Sequence, residues 1–189
     1  MDYQEDLRKA VEVLQKGGLI LYPTDTIWGI GCDATNTDAV RRVYALKQRA
    51  DSKSMLVLVG NEVRLNAYIQ EVPEMAYNLI ELSDKPLTIV YPGGKNLAEN
   101  LLAEDGSIGI RVTKEAFSRA LCQKFRKPVV STSANVSGDP SPSNFSEISE
   151  TIVKGVDYVV KYRREEMNNP APSGIIKLGV DGQVKVIRE

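Results

Sequence analysis

Leu19-Ile20-Leu21-Tyr22-Pro23-Thr24-Asp25 is a short apolar run cut off by turn-forming residues, the pattern of a buried strand. Just before it, Leu7, Ala10, Val11 and Leu14 recur at helical spacing, and Gly17-Gly18 stand where a helix should stop. Beyond it, a second helix is expected from about Thr37 to Lys47, capped by Asn36 or Thr37. Met55–Val59, Pro86–Tyr91, Ile108–Val112 and Val129–Thr132 then read as buried strands. Helical patterns around Val63–Ile69, Met75–Leu82 and Lys114–Phe125 separate them. This alternation predicts an α/β fold in one domain spanning residues 1–189. The last part differs: Val156–Val160, Gly174–Leu178 and Val184–Ile187 look like strands, and Asp181-Gly182 is a hairpin turn between the last two. Antiparallel pairing there makes the sheet mixed. Gly138–Asn144 and Arg163–Ser173 are long polar loops and candidate lids.

Composition narrows the chemistry. The 189 residues contain no histidine, which removes histidine-activated nucleophiles and most zinc sites. Cys32 and Cys122 have no metal-binding or redox spacing and read as buried thiols. Lys and Arg number 24 against 25 Asp and Glu, so anion binding must be local rather than a property of the whole surface. No long apolar run and no signal-peptide core occur, so the protein is expected in the cytoplasm and away from membranes.

Four constellations carry chemical meaning. Gly29-Ile30-Gly31-Cys32-Asp33-Ala34 has dinucleotide-type glycine spacing, but Pro23–Trp28 separate it from the preceding strand and Asn36-Thr37 cap the following helix, so the glycines read as close backbone packing. Lys47 continues the apolar stripe Val40, Val43 and Tyr44 and therefore points inward; with Arg49 and Lys53 it either complements a helix dipole or meets an anion. Ser131-Thr132-Ser133-Ala134-Asn135 follows the apolar Pro128-Val129-Val130, either as a turn or as a donor-rich strand end suited to phosphates. Arg111 lies in an otherwise apolar strand and pairs either with an internal carboxylate or with a ligand anion. Gly93-Gly94-Lys95-Asn96 lacks the remaining features of a Walker loop.

Taken in order, Tyr22–Gly31, Lys47-Gln48-Arg49, Ile108–Arg111, Ser131–Asn135 with Ser137-Gly138, and Pro172-Ser173-Gly174-Ile175 resemble the YrdC-like threonylcarbamoyl-AMP synthases. The resemblance runs from about Leu19 to Arg188 and is to the short form with a single YrdC-like domain. It implies a YrdC/RibB-like fold: a twisted mixed sheet with flanking helices enclosing a positively lined cavity. It also implies synthesis of threonylcarbamoyl-AMP and pyrophosphate from L-threonine, bicarbonate and ATP with Mg2+. A separate tRNA threonylcarbamoyl transferase complex would use the product at adenosine 37 of tRNAs reading ANN codons.

By matching positions, Lys47 and Arg49 would be the catalytic cations. Thr24, Thr26, Arg111, Ser131 and Ser173 would face threonine. Lys47, Arg49, Lys53, Ser107, Ser133, Asn135, Ser141 and Arg188 would meet ATP. No metal-ligating residue is implied. Many members carry a histidine on the strand after the Lys-x-Arg element; this chain has none there, and Leu58 or its neighbours would line that wall. The alternative is a module that binds structured RNA without turnover, and weak RNA binding remains compatible with the enzyme as well.

Overall fold

The computed structural model describes residues 3–49, 55–167, 170, 172–179 and 181–189. Helix α1 (Gln4–Gln15) buries Leu7, Ala10, Val11 and Leu14, the face expected from their spacing, and Gly17 takes a φ of 74° where the chain turns into β1 (Ile20–Tyr22). The side chain of Asn36 accepts hydrogen bonds from the amides of Asp38 and Ala39 and so starts α2 (Thr37–Lys47). The remaining strands are β2 (Gly29–Gly31), β3 (Leu56–Val59), β4 (Leu87–Tyr91), β5 (Ile108–Val112), β6 (Val129–Ser133), β7 (Tyr158–Val159), β8 (Gly174–Leu178) and β9 (Val184–Arg188). The remaining α-helices are α3 (Leu65–Tyr68), α4 (Glu74–Leu82), α5 (Ala116–Phe125) and α6 (Glu150–Gly155).

Among the described residues all nine strands join one mixed sheet in the order β7-β1-β2-β6-β3-β5-β4-β8-β9. β1 with β7, β3 with β5, and β4 with β8 run parallel; the other neighbours are antiparallel. The expected hairpin joins β8 to β9, with Gly182 at a φ of 80°. β6 is the hinge of the architecture. Its first half, Val129 to Ser131, pairs with β3, and its second half, Thr132 and Ser133, pairs with β2. The apolar half is buried, and the hydroxyl-bearing half comes out between two strands.

Three expectations change. Residues 62–68 form a three-residue 3-10 turn followed by the short α3 rather than one helix. α5 begins at Ala116 instead of Lys114 because the Glu115 carboxylate accepts from the amides of Phe117 and Ser118. Gly29–Gly31 is a strand, which its composition hides. The reading of its glycines as close packing nevertheless holds: a Cβ at Gly31 would lie 2.6 Å from Tyr22 Cε1 and 3.1 Å from both Val129 Cγ1 and the Val130 carbonyl. Tyr22 is itself buried and donates its hydroxyl to Val130 O at 3.1 Å, so its ring has little room to yield. Gly31→Ala is therefore expected to lower stability by about 1–3 kcal/mol through overpacking. A urea midpoint equal to wild type would show instead that β1 and β6 separate freely here. Both cysteines are buried free thiols, and burial raises the pKa of each. Among the described residues no helix is long and apolar enough to cross a membrane.

Candidate functional site

The polar end of β6 opens into a cavity of about 290 Å3. Its walls come from eight parts of the chain: Thr26 to Gly29 between β1 and β2, Arg49 after α2, Met55 and Leu56 at the start of β3, Arg111 on β5, Ser131 to Ser133 on β6, Ser141 in the loop after it, Ser173 before β8, and Arg188 on β9. Eight of the residues singled out from sequence meet here: Thr26, Arg49, Arg111, Ser131, Ser133, Ser141, Ser173 and Arg188. Three guanidinium groups thus face one cavity in a chain whose formal net charge is −1. The anion-attracting field is local.

Arg111 is 3% exposed. Its Nε lies 3.2 Å from Asp25 Oδ1, and its Nη1 donates to Thr26 Oγ1 at 3.3 Å. The sequence left open whether this arginine meets an internal carboxylate or a ligand; it is placed to do both. β4 lies beside β5 with Thr88 opposite Arg111, and the Thr88 and Ser173 hydroxyls are 3.0 Å apart. Ser173 is thereby brought alongside the arginine. Arg188 on β9 fixes the same point from the other side, donating its Nε to Ser173 O at 2.9 Å. Burial pushes the Asp25 carboxyl up from its ordinary value, against the pull of Arg111.

Lys47 is inward, as its helical position predicts, with 1% exposure. It does not line the cavity. Its ammonium sits behind β6, donating to Ser133 O at 2.5 Å and Asn135 O at 2.6 Å. The Ser137 amide donates to Lys47 O at 2.8 Å, so the lysine ties the whole turn after β6 to the end of α2. Burial and then the Arg49 charge pull its pKa down to about 8, while the two carbonyls favour the charged form.

Three further predicted residues lie elsewhere. Thr24 is buried beside the cavity, where its hydroxyl donates to Ile27 O at 2.8 Å and lies 3.1 Å from Thr26 Oγ1; it shapes the turn that presents Thr26. Asn135 braces its own loop by donating to the carbonyls of Val136 and Asp139, and its Oδ1 is buried with no hydrogen-bond partner among the described residues. Ser107 is buried at the turn into β5, its amide donating to Asp105 Oδ1, and it is not part of the cavity wall. Lys53 lies outside the described residues.

Four contributing residues were not singled out from sequence. Trp28, the one tryptophan of the chain, lines the cavity and packs on Phe145 with ring centroids 4.9 Å apart. Met55 and Leu56 supply apolar wall, while Leu58 is fully buried and is not part of the cavity lining. Arg163, at a φ of 64°, donates to Thr24 O at 3.1 Å and pairs with Glu115 and Glu166, strapping the start of the second polar loop onto the Thr24 turn. Among the described residues no group of three acidic, cysteine or histidine side chains could hold a metal ion.

The Sua5/yciO/yrdC family model, described by the words "Telomere recombination", matches residues 12–189. A threonylcarbamoyl-AMP synthase of Pseudoalteromonas translucida is 32% identical over 187 residues, covering 97% of this chain and 98% of the relative. The crystal structure of E. coli YciO superposes with a TM-score of 0.84 at 28% identity, covering 98% of this chain and 89% of that one. A crystal structure of P. abyssi Sua5 complexed with L-threonine superposes with a TM-score of 0.84 at 23% identity, a likeness of fold. This chain spans about half of that longer protein, 51% of its length.

Proposed function

This chain belongs to the Sua5/YciO/YrdC family, and from that premise we propose that it is a threonylcarbamoyl-AMP synthase, an enzyme that uses ATP to form an adenylate. The observation that carries the reading is the convergence of Thr26, Arg111, Ser131 and Ser173 with Arg49, Ser133, Ser141 and Arg188 in one cavity. The first four are donors clustered around a guanidinium, suited to an amino-acid carboxylate and hydroxyl. The second four surround the same space with two further cations and two hydroxyls, suited to phosphates.

The chemistry needs no histidine. The uncharged amine of threonine attacks CO2 supplied by bicarbonate and loses a proton, leaving a carbamate. A carbamate oxygen then attacks the α-phosphorus of ATP, and the bond to the β-phosphate breaks with its electrons on pyrophosphate. Arg111 and the hydroxyls around it hold threonine, while Arg49 and Arg188 take up phosphate charge, so alignment and charge neutralisation supply the rate. Mg2+ enters as part of the substrate, bound to ATP phosphates. Lys47 acts through the turn it holds, setting the position of Ser133. The proposed product is a labile mixed anhydride, passed to a tRNA-modifying transferase in the cytoplasm for use at adenosine 37.

Purified protein with ATP, Mg2+, bicarbonate and L-threonine is expected to release pyrophosphate and yield a threonine-dependent adenylate, read by mass spectrometry; L-serine serves as the comparison. No threonine-dependent product, together with salt-sensitive binding of structured RNA, would replace this reading by that of an RNA-binding module.

A further inference from the structure

Arg111 brings five N–H donors to a site where it is 3% exposed. Among the described residues two protein groups reach it: Asp25 at its Nε edge and Thr26 at Nη1. Its remaining Nη donors are those left to meet a ligand. The Asp25 contact is unusual in one respect. Oδ1 and Nε are 3.2 Å apart, yet the two are out of hydrogen-bond alignment, and neither atom has another hydrogen-bond partner among the described residues. Asp25 is largely buried, with 11% of its side chain exposed, and it does not line the substrate cavity. It faces a second cavity of about 180 Å3, behind the arginine, together with Lys85 and Lys114.

The ion pair is thus a partition between two spaces, with the guanidinium on the substrate side and the carboxylate behind it. A buried guanidinium without a fixed acceptor turns toward whatever oxygen is nearest, and Glu115 is near enough to raise the Asp25 pKa through its charge. Orientation is what bidentate recognition of a carboxylate demands.

We infer that Asp25 is the positioning residue for Arg111: a small rotation brings its carboxylate, already 3.2 Å from Nε, into line as the acceptor that holds the guanidinium by its Nε edge, so that its Nη groups face the carboxylate of threonine. The inference rests on the threonine-binding reading of the cavity. It adds that the acidic residue between Thr24 and Thr26 acts through the arginine and never touches substrate. A positioning role needs an acceptor oxygen at that point, whereas a charge role needs the negative charge.

The substitutions Asp25→Ala and Asp25→Asn separate the two. The alanine variant is expected to raise the KM for threonine about thirtyfold with the KM for ATP unchanged, and the asparagine variant, which keeps an oxygen facing Nε, is expected to return to within about threefold of wild type. The 15N-edited Nε–H resonance of Arg111, assigned by its loss in Arg111→Lys, gives a reading independent of turnover: slow exchange in wild type and asparagine variant, fast exchange in the alanine variant. If Asp25→Ala melts below the assay temperature, Asp25→Ser makes the same prediction with a smaller gap. Equal threonine KM and an unchanged Nε–H signal in the alanine or serine variant would overturn the inference. So would an asparagine variant as impaired as alanine, which would assign the role to charge. Wild-type protein that shows the immobilised Nε–H but makes no threonine-dependent product would overturn the functional reading and leave the pairing standing.

Discussion

Replacing Arg111 by alanine lowers kcat/KM for threonine by about a thousandfold while leaving the protein folded. Truncating one partner of a buried, hydrogen-bonded charge pair costs about 2–5 kcal/mol, and each 1.36 kcal/mol is tenfold in rate, so about 4 kcal/mol corresponds to three decades. The fold survives because the carboxylate left behind has an alternative. Burial raises the Asp25 pKa, and its carboxylate borders the second cavity with Lys85 and Lys114, so without Arg111 it is not left as an isolated charge in an apolar core. The stability loss is expected at about 1–3 kcal/mol, a fall in Tm of roughly 2–4 °C per kcal/mol for a chain of this size. Arg111→Lys is expected to recover little, since an ammonium cannot reach Asp25, Thr26 and a ligand carboxylate from one planar fork. Pyrophosphate release at varied threonine, beside a thermal melt, checks both parts. An alanine variant within tenfold of wild type would remove Arg111 from the threonine site.

Lys47→Met is expected to have the largest effect on stability together with a severe loss of activity. Methionine fills nearly the same volume, so no cavity arises; what is lost is the ammonium between Ser133 O and Asn135 O. A buried carbonyl without a donor costs about 1–3 kcal/mol, and these two are part-buried, which gives a loss of about 3 kcal/mol for the pair. Tm then falls by roughly 6–12 °C. Because those carbonyls belong to the strand end and turn that carry Ser133 and lead to Ser141, nucleotide-dependent turnover is expected to fall more than a hundredfold even below the melting range. Urea unfolding and single-turnover adenylate formation measure the two effects separately. A stable variant with normal turnover would show that the turn after β6 holds its shape without the lysine.

How far the fold was legible follows from which forces act locally. Helical periodicity placed α1 and α2 and turned Lys47 inward, because a 3.6-residue repeat leaves no choice of face once the apolar stripe is set. Asp181-Gly182 announced the β8–β9 hairpin through the backbone freedom of glycine. β2 escaped because its glycines are selected by what crosses over them, the Tyr22 ring and β6, and those neighbours are distant in sequence. The site behaved likewise. Ser131 on β6, Ser173 just before β8 and Arg188 on β9 lie far apart in the chain, and spacing alone could not unite them; the motif set did so through family resemblance. Lys47 and Thr24 matched motif positions yet support the cavity from behind, while Asp25, lying between two threonines already singled out, was passed over. Its role depends on Arg111, 86 positions away, and only tertiary structure brings them together.

β9 is exposed along its whole length and pairs with β8 alone, at the edge of the sheet. Edge strands of this kind open locally at a smaller free energy than the strands beneath them. Yet Arg188 in this strand secures the carbonyl of Ser173, so the cavity borrows one wall from the part of the sheet that breathes most readily. Amide hydrogen exchange in β8 and β9 should therefore slow when the cavity is filled, while the amides of β3 and β6 hardly change. In this protein, occupancy of a central cavity would be written most legibly on the periphery, as a seam that stops fraying.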